Sequence, residues 1–162
     1  MKTEIVPFET KHTKSIIERN ESEGKKFSSN GVDLNDVMKA WKDGGPAYTV
    51  IIDGEVVMSG GIVLMGWKRG EAWTLLSSLF YKFKKESYKA IKEGLEGIVK
   101  KEGLRRVQSM IKPDLESGPS WMKHLGFTYE VTLEAFGPNG EDFDLYKRIY
   151  RGIEDVRISQ CN

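Results

Sequence analysis

Hydrophobic and polar positions along the chain follow two periods. Leu34, Val37, Met38 and Trp41 recur at the three- and four-residue spacing that gathers side chains on one side of a helix, so LNDVMKAWKD predicts a helix over residues 34–43, with Asp33 placed to cap it. Tyr88, Ile91, Leu95 and Ile98 trace a longer stripe, opposite lysines and glutamates, and predict a helix over about 84–102. Ile16 and Ile17 mark a third over 10–21. Between these the period falls to two. AYTVII and EVVMSGGIVLM, joined by Asp53-Gly54, predict a hairpin, because that dipeptide accepts the positive φ angles of a tight turn. EAWTLLS, after KRG, is a further strand in succession.

The remaining pieces complete the order. Residues 4–8 suit an opening strand and NESEGKKFSSNG a loop; LRRVQSMI reads as a strand and ESGPSWMKHL as a helix. GFTYEVTLEAF and FDLYKRIY are two strands about the turn GPNGED, the second alternating Phe143, Leu145, Lys147 and Ile149 against Asp144, Tyr146 and Arg148. A strand, helix, strand step implies a parallel crossover, while hairpins imply antiparallel partners. The fold class expected is therefore α/β (α+β): a mixed, mostly antiparallel sheet of seven strands flanked by about four helices. With 162 residues and no repeat or linker, one domain over 1–162 is expected, its core spanning about 4–150 and a tail 151–162.

Composition narrows the partners. Lysine and arginine number 25 against 24 acidic residues, so no global field draws nucleic acid or an anionic membrane. The single cysteine, Cys161, excludes an intramolecular disulfide framework and a cysteine-rich zinc site, and suits a reducing, cytoplasmic compartment. No apolar run has the length of a signal peptide or a membrane span. His12, on an exposed helix start, and His124, at a helix end that suits an imidazole, lack the spaced partners of a metal site, and no metal is expected. SGGIVLMG lacks both the Gly-Lys-Ser/Thr ending of a phosphate loop and the Gly-x-Ser-x-Gly of a serine hydrolase.

Chemistry concentrates in GEAWTLLSSLFYKFKKESYKAIKEGL, residues 70–95. Strand, turn and helix N-terminus in that order make a common cradle for a phosphate. Lys82, Lys84 and Lys85 cluster where the helix dipole is positive, and Ser77 and Ser78 add hydroxyls at the strand end. Three cations at a positive dipole end call for an anion; the plainer reading is a solvated turn, and both stand at this point. Among the tryptophans, at least two of Trp41, Trp67, Trp73 and Trp121 are expected in the core or at its edge. Trp67, between Gly66 and Lys68, is the exception, as a surface anchor or part of an acceptor mouth.

The element order, together with WMKHLGF at residues 121–127, resembles the Gcn5-related N-acetyltransferase (GNAT) superfamily, in which a helix ends in a Leu-Gly-Phe turn. Gly126 has a physical reason there, since a helix often closes on a residue of positive φ that glycine adopts cheaply. A branch common in tailed bacteriophages and prophages is more similar still. Its pieces stand at Glu71–Ser77, Lys84–Lys101, Arg105–Ile111 and Gly137–Ile149, and it includes acetyltransferases and an internal virion protein of T7-like phages.

The resemblance implies acetyl-CoA as cosubstrate and transfer of an acyl group to a primary amine, on a small molecule or a protein, by direct attack. It implies that Leu75, Leu76, Ser77 and Ser78 hold the pantetheine arm, and that Lys82, Lys84, Lys85 and Ser87 hold the phosphates. Glu71 is the implied general base, acting through water, with Glu130, Glu134 and Asp144 as weaker candidates; Tyr146 faces the acceptor or simply packs. The chain departs from the family's pattern twice. Ser87 and Lys89, counted from Lys84, stand where the pyrophosphate loop has small residues, and Met122 stands where relatives place a proton-donating tyrosine. A second reading therefore stays open: a non-catalytic phage protein of the same fold, in the virion or the host cytoplasm, binding a second copy or a phage or host protein.

Overall fold

The computed structural model describes residues 1–24, 34–114 and 117–151. Asp33, Glu116, Cys161, most of the loop after residue 24 and the tail beyond Arg151 lie outside the described residues. The elements run β1 (Thr3–Pro7), α1 (Thr10–Ser22), α2 (Leu34–Asp43), β2 (Ala47–Ile52), β3 (Glu55–Gly66), β4 (Arg69–Leu76), α3 (Leu79–Lys82), α4 (Lys84–Glu102), β5 (Arg106–Ile111), α5 (Gly118–His124), β6 (Thr128–Leu133) and β7 (Phe143–Ile149). The seven strands lie in the order β1-β2-β3-β4-β5-β7-β6, with β4 and β5 parallel. The mixed α/β class expected from the sequence is the one observed. One helix, α3, is additional: four residues make a single turn, too short to show a period.

The chain forms two compact units. The first holds Met1–Val63 and Ala72–Ile98. Its β1–β2 and β2–β3 pairs are antiparallel, and Asp53 and Gly54 turn the second hairpin with φ of 49° and 80°. Thr49 and Val50, neighbours on β2, are both buried, as are Val57, Met58 and Ser59 on β3, so both faces of these strands are covered. Ile16, Phe80, Leu95 and Ile98 from the helices complete that core. Gly61 is required by close approach: a Cβ there would lie 2.7 Å from the Ala47 Cα.

The second unit holds Leu64–Glu71 and the described residues from Val99 onward. Arg69, Gly70 and Glu71 pair with Arg106, Val107 and Gln108, the whole extent of the parallel ladder. β7 pairs antiparallel with β5 and β6, with an irregularity at Glu130, between Tyr129 and Val131. Leu104, Val107, Met122, Leu125, Phe127 and Tyr146 form its core. The Leu-Gly-Phe turn is as expected: Gly126 has φ of 83°, and a Cβ there would meet the Arg148 guanidinium at 3.2 Å, the group that donates to the Leu125 carbonyl. On β7 the apolar set is not the buried one, since Tyr146 is buried and Ile149 is 43% exposed.

Candidate functional site

The turn after β4 is built without glycine because it contains no left-handed residue: none of residues 77–87 has positive φ. Ser77, almost fully buried, donates its N–H to the Val57 carbonyl at 3.0 Å, and its Oγ accepts from the Leu79 N–H at 3.2 Å, where α3 begins. Phe80, 3% exposed, anchors that helix in the core of the first unit. Phe83 then carries the chain into α4, bonding back to Leu79 and forward to Ser87. A one-turn helix with an aromatic anchor replaces the expected irregular loop.

All eight residues expected at the cofactor belong to the first unit. Lys82, Lys84 and Lys85 are exposed around the start of α4, and Lys82 Nζ lies 5.1 Å from the Phe83 ring centre. Leu75, Leu76 and Ser78 are half-buried, while Ser77 and Ser87 are buried. The hydroxyls of Ser78 and Ser87 are buried without a protein partner. Buried hydroxyls are nearly always bonded, so Ser78, just before α3, and Ser87, in the first turn of α4, leave bonding capacity open, as Thr13 Oγ1 and Trp73 Nε1 do elsewhere in the first unit; the three exposed lysines and the positive end of α4 fit an anionic ligand. The strand end fits less openly. Asn20 on α1 donates from Nδ2 to the Leu76 carbonyl at 3.0 Å and accepts at Oδ1 from the Ser78 N–H at 2.9 Å. Nothing in the sequence marks Asn20, because its partners are more than fifty residues away.

Glu71, in the second unit, is half-buried, and burial raises its carboxyl above the ordinary value. Of the alternative carboxylates, Glu130 and Asp144 are otherwise engaged. Glu130 pairs with Arg106 and with Lys147, the latter at 3.4 Å, and the hydrogen bond from Arg106 holds its carboxyl below the ordinary value. Asp144 accepts from the Thr132 hydroxyl at 2.7 Å, and Glu134 is exposed. Tyr146 is packed edge-on against Tyr129, and burial raises its phenol. Met122 is 3% exposed, its carbonyl accepting from Phe127 N–H, so this position is core.

His12 corrects an expectation. Rather than lying exposed, it is 5% exposed, and Nδ1 accepts from the Glu9 N–H at 3.0 Å and faces Thr49 Oγ1 at 2.8 Å. The sequence signal was present, since His12 is one turn before Ile16 on the buried side of α1. Trp41 and Trp73 stack at 4.3 Å and 6°, with Phe8 edge-on to Trp73, which places both in the core edge of the first unit. Trp67 is 83% exposed, with the Arg69 guanidinium 5.0 Å from its ring centre. Among the described residues no group of three or more His, Cys, Asp or Glu is placed to hold a metal, and no helix is long and apolar enough to cross a membrane.

No protein-family model matches the chain, and no curated protein sequence matches it. Solved structures do. A GNAT-family acetyltransferase from Streptococcus pneumoniae is 15% identical, with 93% of this chain and 100% of that one aligned at a TM-score of 0.67. Ard1 from Thermoplasma volcanium is 14% identical over 94% and 100%, at 0.70. RimL, a ribosomal L7/L12 alpha-N-protein acetyltransferase solved with coenzyme A, is 11% identical over 91% and 93%, at 0.69. At such identities what is shared is the architecture, and that architecture is the GNAT acetyltransferase fold.

Proposed function

We propose that this chain is an acetyl-CoA-dependent N-acetyltransferase acting on a primary amine. The observation that carries the reading lies within the first unit, where Lys82, Lys84 and Lys85 are exposed around the positive end of α4, directly after the end of β4. Bound acetyl-CoA supplies an activated acyl carbon as its thioester. In this reading the three lysines and the first turn of α4 neutralise the phosphates, and Leu75–Ser78 align the arm. Glu71, whose burial raises its carboxyl above the ordinary value, takes the proton from the amine through water; a base of raised affinity does this better than an ordinary exposed glutamate. The amine nitrogen bonds to the acyl carbon, the carbon–sulfur bond breaks, and the thiolate takes its proton from solvent, because Met122 is buried and has none to give. The acceptor class is a small-molecule or protein amine.

Binding is tested first. Acetyl-CoA at 100 times its dissociation constant should stabilise the fold by about 2.7 kcal/mol in thermal denaturation. No shift at millimolar acetyl-CoA would sink the proposal. Glu71→Gln should then lower turnover about 10²- to 10⁴-fold with acetyl-CoA affinity retained. It should also abolish the acidic limb of the rate profile, since the wild-type base is lost as pH falls through the raised Glu71 value.

A further inference from the structure

We propose that Asn20 governs access to the outer edge of β4, by occupying the peptide groups that an amide-bearing cosubstrate arm would need. This rests on the N-acetyltransferase reading and adds a residue to it.

Peptide groups of successive residues in an extended strand face opposite edges. Ser77 gives its N–H to Val57 on β3, so the Leu76 carbonyl and the Ser78 N–H face the edge away from β3. The ladder with β5 along that edge ends at Glu71. A parallel neighbour continuing it would send one N–H to Leu76 and offer one carbonyl to Ser78, the pattern of a parallel ladder about residue 77. The Asn20 carboxamide makes both bonds, and only one orientation of it serves both. It is a side chain acting as one residue of an absent strand.

The pantetheine arm of coenzyme A is built from secondary amides, each carrying the same donor and acceptor pair. The Ser78 N–H is a single donor, so Asn20 and the arm exclude each other there. Binding at the strand edge requires Asn20 to rotate off, and the apparent affinity is reduced by the fraction of molecules in which it remains. Two net hydrogen bonds make that reduction about tenfold. The phosphate end, at the lysines, is independent of Asn20.

The test uses the full chain, with coenzyme A and adenosine 3′,5′-bisphosphate as probes in titration calorimetry. Asn20→Ala and Asn20→Leu should each bind coenzyme A about tenfold more tightly than wild type, with the bisphosphate affinity unchanged. Equal or weaker coenzyme A binding in both variants, with bisphosphate binding intact, overturns the role of Asn20 and leaves the acetyltransferase reading standing. Failure of every form to bind either probe removes both. Nuclear magnetic resonance of the wild type needs no substitution: saturating coenzyme A should shift the Asn20 side-chain amide and the Ser78 backbone amide, and an unmoved pair also overturns the proposal.

Discussion

Two polar clusters are buried in the first unit, and they are finished differently. Around His12 the bonds close: the Glu9 N–H and Thr49 hydroxyl meet Nδ1, and Ser59 meets Thr49 at 2.8 Å. Two donors onto one nitrogen require the neutral ring with its proton on Nε2. At the end of β4, Ser77 is engaged, whereas the Ser78 and Ser87 hydroxyls are left open. A closed network rigidifies a core and asks nothing of solvent or ligand; an open one costs stability unless something binds. Open groups are not confined to that turn, since Thr13 Oγ1, next to His12 on α1, and Trp73 Nε1 also lack a partner.

Breaking the closed cluster should have the largest effect. Thr49→Val keeps the shape but leaves Ser59 without its partner and His12 short of a donor, and should cost about 1–3 kcal/mol in urea unfolding. A pH series sharpens the same point. Burial lowers the His12 value below 6.5, opposed by Glu9 and helped by Lys11, so the unfolded chain takes the proton first. Stability is therefore complete above about pH 6.5 and declines as pH falls from there through the folded value, by at most about 1.4 kcal/mol per pH unit for one proton. His12→Asn should flatten that slope; an unchanged slope would assign it to carboxylates. Within the open cluster, Ser77→Ala should cost about 1 kcal/mol through the lost hydrogen bond to the Leu79 N–H. Ser87→Ala should be the smallest, near zero or slightly stabilising, because it deletes a hydroxyl with no partner. A loss at Ser87 matching that at Thr49 would erase the distinction.

Legibility in the sequence followed the range of the forces involved. The helix over 34–43, the strand over 47–52 and the helix over 84–102 match the structure end to end, because a stripe, a turn dipeptide and a charge pattern are local signals. The Asp53-Gly54 turn was readable for the same reason. α3 was not, since one turn has no period. β6 is shorter than expected, Thr128–Leu133, because Gly126 and Ala135 at its flanks take positive φ. The buried face of β7 was also hidden: alternation cannot say which side is covered, and Tyr146 rather than the aliphatics went inside. At the candidate site the lysines and Glu71 were readable as residue types in a pattern. Asn20, whose bonds span most of the first unit's sequence, and the burial of Ser87 are tertiary facts without local trace.

The turn between β3 and β4 has a kinetic consequence. Gly66, Trp67 and Lys68 all take positive φ, at 80°, 53° and 57°, and the Lys68 carbonyl then accepts from the Arg105 and Arg106 amides where β5 begins. The hairpin needs only its own few residues, but this acceptor and the Arg69–Glu71 ladder wait for the whole α3–α4 excursion to be laid down. Long-range parallel pairing is slow because loop entropy is lost before contacts reward it. Folding should thus reach its rate-limiting barrier with β5 still undocked, and Val107→Ala, at a fully buried position of β5, should speed unfolding while leaving the folding rate nearly unchanged.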